Sequence, residues 1–334
     1  MSDTRAGIAS VVQRTRPVKV DGTVVAAHFL GDTAVFVQGE QSLSLVPQEG
    51  EARTIGVHAG AILCSAAQDD RVITSGDDGT VAATGADGAV TTLATDGQRR
   101  WIDHVVTGPD RALAWSAGKQ IFVHSGDNER TIEVASTVGA LAFAPKGFRL
   151  AAAHYNGVTL WFPNATNGPD VLSWKGSHLG VIFSPDSRFL ISSMQEPMLH
   201  GWRLSDGKDM RMSGYSARVR SFAFTADGKS LATSGANQLV LWPFQGKDGP
   251  MGKVPRMFAP AEAQIEVIAC HPREGIVAAG YAEGLVLLVR TDDGAEILAR
   301  KPAGAPITAL AWNGSGNALA IGTEDGDAGV VDLR

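Results

Sequence analysis

Residues that can do chemistry are plentiful in this chain, but their spacing gives them little to do. The eight histidines are His28, His58, His104, His124, His154, His178, His200 and His271, and no two stand in HxH or HxxxH spacing. No CxxC occurs, so zinc ligation lacks its usual signature. Acidic clusters occur at Asp69–Asp70, Asp77–Asp78, Asp292–Asp293 and Glu324–Asp327, the last three with a glycine in the same turn. Asp and Gly are favoured there because the carboxylate caps the turn and glycine accepts positive φ. The DxDxDG calcium loop is absent, as are the GxSxG elbow and the GxxxxGK[ST] phosphate loop. The two cysteines, Cys64 and Cys270, lie in the apolar runs AILCSA and EVIACHP and are expected to be buried free thiols. No metal, cofactor or catalytic residue is assigned.

The elements that must position these side chains are written as a repeat. From Gly139 to Phe244 one pattern recurs three times: GALAFAPKGFRLAAAHYNGVTLWF, GVIFSPDSRFLISSMQEPMLHGWRL and SFAFTADGKSLATSGANQLVLWPF. Phe143, Phe183 and Phe224 are 40 and 41 residues apart, and Trp161, Trp202 and Trp242 are 41 and 40 apart. A unit of this length cannot bury its apolar face alone and must stack on its neighbours. Each unit parses as four short strands, a to d, between turns rich in Gly, Asp, Pro and Lys. The pattern extends outward to VVAAHFL at the start and to ITALAWNGSG, ALAIGT and AGVVDL at the end, making eight units that average about 42 residues, a propeller-blade length. The eighth unit lacks strand d, and the strand-like run at residues 8–20 (IASVVQRTRPVKV) has no unit of its own. Placing that run beside the last strand closes a ring and leaves no sheet edge free.

The motifs AFAPKG, IFSPDS and AFTADG at the a–b turn, SGDDGTV at a b–c turn, and VTLW, HGWRL and LVLW on strand c resemble those of WD-repeat (tryptophan–aspartate repeat) β-propellers over nearly the whole chain. The resemblance implies an all-β, closed propeller of four-stranded antiparallel blades, with eight blades fitting better than seven, in one domain spanning residues 1–334. The family's polar pattern survives only in fragments. His58 and Asp78 stand in the second unit with Thr84 where Trp belongs, and His178 and Trp202 flank the fifth without an Asp between them.

Such a fold implies a non-catalytic scaffold for proteins or peptides. The alternative is an enzyme, or a small-ligand or metal protein, using the central funnel. Its strands a are Ala, Val, Ile and Phe rather than carboxylates, and His28, His104 and His271 sit one position out of phase, so alternation sends some to opposite faces. The d–a and b–c loops emerge on one face, and the expected contact residues all lie in them. These are Arg99, Arg100, Trp101, Lys119, His154 and Tyr155, followed by His178, Met194, Gln195, Met198, Tyr215, Arg218 and Tyr281. Tyr, Trp, Arg and Met are enriched where proteins meet because they bury much area and offer polar or polarisable handles.

Composition agrees with that class. The chain carries 39 glycines for tight turns, 44 % hydrophobic residues for a core and a formal net charge of −6, which gives no basic footprint for nucleic acid. No run approaches the roughly 18 apolar residues of a membrane span, and no signal peptide is visible. A cytoplasmic protein, monomeric by itself, is expected.

Overall fold

Short apolar runs between glycine-rich turns fold as strands throughout residues 8–334, the part of the chain that this computed structural model describes. Residues 1–7 of the expected domain lie outside the described residues. The only helical turns among the described residues are the 3-10 turns Val12–Arg14 and Pro109–Arg111. Among the described residues no helix is long and apolar enough to cross a membrane.

Two compact units divide the chain. The first comprises Met1–Gln38, Val46–Ala52 and Arg220–Arg334. It holds an antiparallel sheet of Phe222–Phe224, Ser230–Thr233, Leu239–Pro243 and Arg256–Phe258. A second sheet is built from Ile265–Cys270, Ile276–Tyr281, Val286–Arg290 and Glu296–Arg300. A third is built from Ile307–Trp312, Ala318–Thr323 and Asp327–Asp332. The run at residues 8–20 is not one strand. Ala9–Ser10 adds in parallel to Ile297–Leu298 of the second sheet, the 3-10 turn follows, and Thr15–Lys19 then pairs antiparallel with Asp327–Asp332 as the third sheet's fourth strand. Val24–Leu30 pairs with Thr33–Gln38 in the same unit.

The second unit comprises Gly39–Leu45 and Arg53–Val219. Ser42–Val46 pairs with Arg53–Gly56, and four-stranded antiparallel sheets follow over Ile62–Thr95 and His104–Glu133. The next two sequence units run into one six-stranded sheet. Counted as hydrogen-bonded sheets among the described residues, the blades number seven, the alternative count, rather than eight. The reason is local. Leu150–Trp161 is continuous through Asn156 and Gly157, which take φ +68 and +152 and form a register shift in place of an open turn. Asp170–Phe183 is continuous through WKGSH, where Gly176 at φ +111 is the one residue placed to bend the chain.

The core follows from strand position within each sheet. Second and third strands, such as Phe189–Met194 and Thr33–Gln38, are buried over nearly their full length, while outer strands such as Val90–Thr95 and Asn128–Glu133 stay exposed. Strands covered on both faces read as continuous apolar runs, which is why they carry so few polar residues. In the first unit Leu239 and Leu241 pack against Val277, Leu287 and Val289. In the second, Leu150 and Trp161 pack against Ile121, and Leu160 and Phe183 against Trp202. Each such side chain removed from water contributes about 1.5–3 kcal/mol. The repeated tryptophans Trp161, Trp202 and Trp242 are all buried, as their spacing requires.

Candidate peptide-binding cleft

Most of the histidines are structural. His58 uses Nδ1 toward both carboxylate oxygens of Asp78 at 3.1 Å and Nε2 toward the Thr74 hydroxyl at 2.8 Å. Asp78 also accepts from the Ala59 and Thr80 N–H groups. Burial pushes its carboxyl up, but the hydrogen bonds from Ala59, Thr80 and His58 outweigh it and hold the group below its usual range. Thr84, standing where the family places Trp, leaves its hydroxyl buried without a partner. In the fifth sequence unit the missing Asp is replaced by backbone: His178 bonds the Trp174 carbonyl at 3.0 Å and the Ser192 hydroxyl at 2.7 Å. His154 bonds Thr159 and the Tyr155 carbonyl, and His271 bonds the Gly316 carbonyl while accepting from the Arg273 and Glu274 N–H groups. No group of three metal-ligating side chains occurs among the described residues. Both cysteines are free thiols, half-buried, and burial raises both pKa values, that of Cys270 to about 12.

Burial therefore removes several expected contact residues from any surface. His154 and His178 are buried and bonded, Tyr215 is 9 % exposed, and Tyr281 is fully buried with its hydroxyl donating to the Ala259 carbonyl. Tyr281 was expected in a b–c loop, but the strand Ile276–Tyr281 extends through it, carrying the ring into the core of the first unit. Arg100 is committed to the buried Asp96 at 2.7 Å. It lines a cleft with Trp115 and Phe122, whose rings stack at 5.6 Å, while Arg99, Trp101 and Lys119 are exposed. Arg218 reaches Gln195 at 3.4 Å.

The remaining expected residues meet residues that the sequence did not flag. Tyr155, 57 % exposed, lines a surface cleft of about 370 Å³ with Met194 and Met198. Trp174, Lys175, Glu196 and Arg211 complete its wall. The segment carrying Trp174 runs straight from one sequence unit into the next, so Trp174 lies against the strand pair Met198–Arg203 and Asp209–Ser213. There it stacks on His200 at 4.0 Å with an interplanar angle of 15°, and the Arg211 guanidinium lies 5.0 Å from its ring centre. His200 and Arg211 are directly paired across those strands. His200 is fully buried, neither ring nitrogen has a hydrogen-bond partner, and burial lowers its pKa to about 4. The signal that could have exposed the cleft is SWKGSH, a tryptophan beside a lysine where the units join.

Antiparallel sheets, mostly of four strands with one pair of sequence units joined in a six-stranded sheet, define an all-β propeller. The crystal structure of the computationally designed Ika8 protein matches it with a TM-score of 0.75 at 17 % identity, over 94 % of this chain and 97 % of that one, a likeness of fold alone. Residues 268–334 match the family described as Anaphase-promoting complex subunit 4 WD40 domain, and no curated protein sequence matches. The fold is that of a β-propeller, and its stretch 268–334 is similar to a WD40 domain. Propellers of this kind are generally protein-interaction scaffolds and typically not enzymes.

Proposed function

We propose that this chain is a non-catalytic scaffold that binds a protein or peptide at the cleft around Tyr155 and Trp174. The observation that carries the reading is a tyrosine more than half exposed beside two methionines, a tryptophan and an arginine, with the tryptophan held from beneath by His200. Side chains held in one geometry before a partner arrives lose little freedom on binding, which favours affinity. The same proposal treats residues 1–334 as one domain that works as a cytoplasmic monomer, and the net charge of −6 supports a partner other than nucleic acid.

The test is a comparison of variants by affinity purification from native lysate. Tyr155→Ala combined with Lys175→Ala is expected to lose a stoichiometric partner while its melting temperature stays within about 2 °C of the parent, since exposed side chains contribute little to stability. Arg99→Ala combined with Trp101→Ala is expected to keep it. Retention of every partner by the first variant would show that the cleft is not the contact site.

A further inference from the structure

Arg211 is exposed at the wall of the cleft. Its guanidinium lies over Trp174, and no carboxylate pairs with it among the described residues. A guanidinium 5.0 Å from an aromatic ring centre and without an ion pair has N–H donors available, the groups that take a carboxylate with two parallel hydrogen bonds. Lys175 stands exposed in the same wall, likewise without an ion pair among the described residues. Glu196 is the one carboxylate lining the cleft, so Lys175 and Arg211 against Glu196 leave a net charge of +1 there, on a chain of net charge −6. Beside these cations lie Tyr155, Met194 and Met198, an apolar and polarisable floor that adapts to an aliphatic or aromatic side chain.

The geometry points to an acidic linear peptide as the occupant, and this rests on the cleft being the contact site. One Asp or Glu carboxylate pairs with Arg211, with Lys175 beside it, and a neighbouring apolar side chain settles on Tyr155 and Met198. A single carboxylate matches the local excess of one positive charge. A phosphate carries close to two charges at neutral pH and would face Glu196 in surplus.

The probe is a random-peptide display library selected on the purified full chain, with the Arg211→Ala and Arg211→Gln variants selected in parallel. Folding of each variant is checked by its melting curve. The expected result is enrichment of Asp or Glu next to Leu, Ile, Met or Phe, with the acidic preference lost in both variants. For a synthetic peptide of the enriched sequence, Asp→Asn is expected to weaken binding at least tenfold in the parent and less than threefold in Arg211→Gln. Replacing that Asp by phosphoserine is expected to weaken it too. Enriched peptides that are basic, that prefer phosphoserine, or whose acidic preference survives in both variants would overturn the inference and leave the cleft as contact site. Failure to enrich any peptide whose binding depends on Tyr155 would overturn both.

Discussion

His200 is a side chain whose environment is unlike water. Its ring is stacked on Trp174 and met edge-on by Trp202 at 4.7 Å, and the Asp209 carboxylate is 3.7 Å from Nε2. The folded chain resists protonating it until about pH 4, against an ordinary value of 6.5. Between those values the unfolded chain binds a proton that the folded chain refuses. The stabilisation is therefore complete above pH 6.5, declines as pH falls toward 4, and is spent below that. The shift corresponds to about 3 kcal/mol at most. His200→Phe keeps a ring against Trp174 and removes two unsatisfied nitrogens. Denaturant unfolding at neutral pH should show it more stable by about 1–3 kcal/mol, with a shallower loss of stability on acidification. The slope does not vanish, since burial also lowers the His28 pKa to about 4. A variant less stable than the parent at neutral pH would mean that the imidazole has a partner, such as a bridging water. Asp78 makes the opposite case. Asp78→Ala strands His58 and two backbone N–H groups and should cost about 3 kcal/mol, with Asp78→Asn milder because its oxygen can still accept. Equal melting curves for parent and Asp78→Ala would refute the staple.

At the scale of elements, the junction between the fourth and fifth sequence units is the place where a small change should do most harm. A methyl group on Gly139 would run into the backbone carbonyl of His178, on the strand that joins the two units. Gly139→Ala should lose about 1–3 kcal/mol, the usual cost of forcing an extra carbon into a packed site. Gly168→Ala, with nothing within 4 Å and an ordinary φ, serves as a neutral control. The two melting in step would remove the clash from consideration. This junction also marks how far the sequence could be read. The 40-residue spacing of Phe and Trp wrote out the strands, because a core position must recur wherever the same strand recurs. Tyr281 and Tyr215 were misjudged because a hydroxyl that finds a carbonyl, as Tyr281 does at Ala259, lets a tyrosine serve as core. Trp174 was passed over because nothing local says that WKGSH runs straight on. Only the continuous strand Asp170–Phe183 lays it against His200 and Arg211.

For the molecule as a whole, the N-terminal segment is a clasp with two points of attachment, Ala9–Ser10 on one sheet and Thr15–Lys19 on the next. Deleting residues 1–20 uncovers the edge of Asp327–Asp332, and an unpaired edge invites pairing between chains. Light scattering should show the truncated chain associating where the parent does not, and a synthetic peptide of residues 8–20 should suppress it. A truncated chain that stays monomeric with an unchanged melting temperature would demote the clasp to an ornament. The same pairing has a consequence for the order of events at the ribosome. Lys19 bonds Asp327, 308 positions later, so that sheet has no complete set of strands until Asp327–Asp332 has been made. The antiparallel strands of every sheet between are local in sequence and free to form as they appear, while Ala9–Ser10 and Thr15–Lys19 wait for their partners. Contacts of such long separation are the slow ones in folding. The stretch between can thus assemble as it is made, and the late pairings of Ala9–Ser10 and Thr15–Lys19 complete the last two sheets.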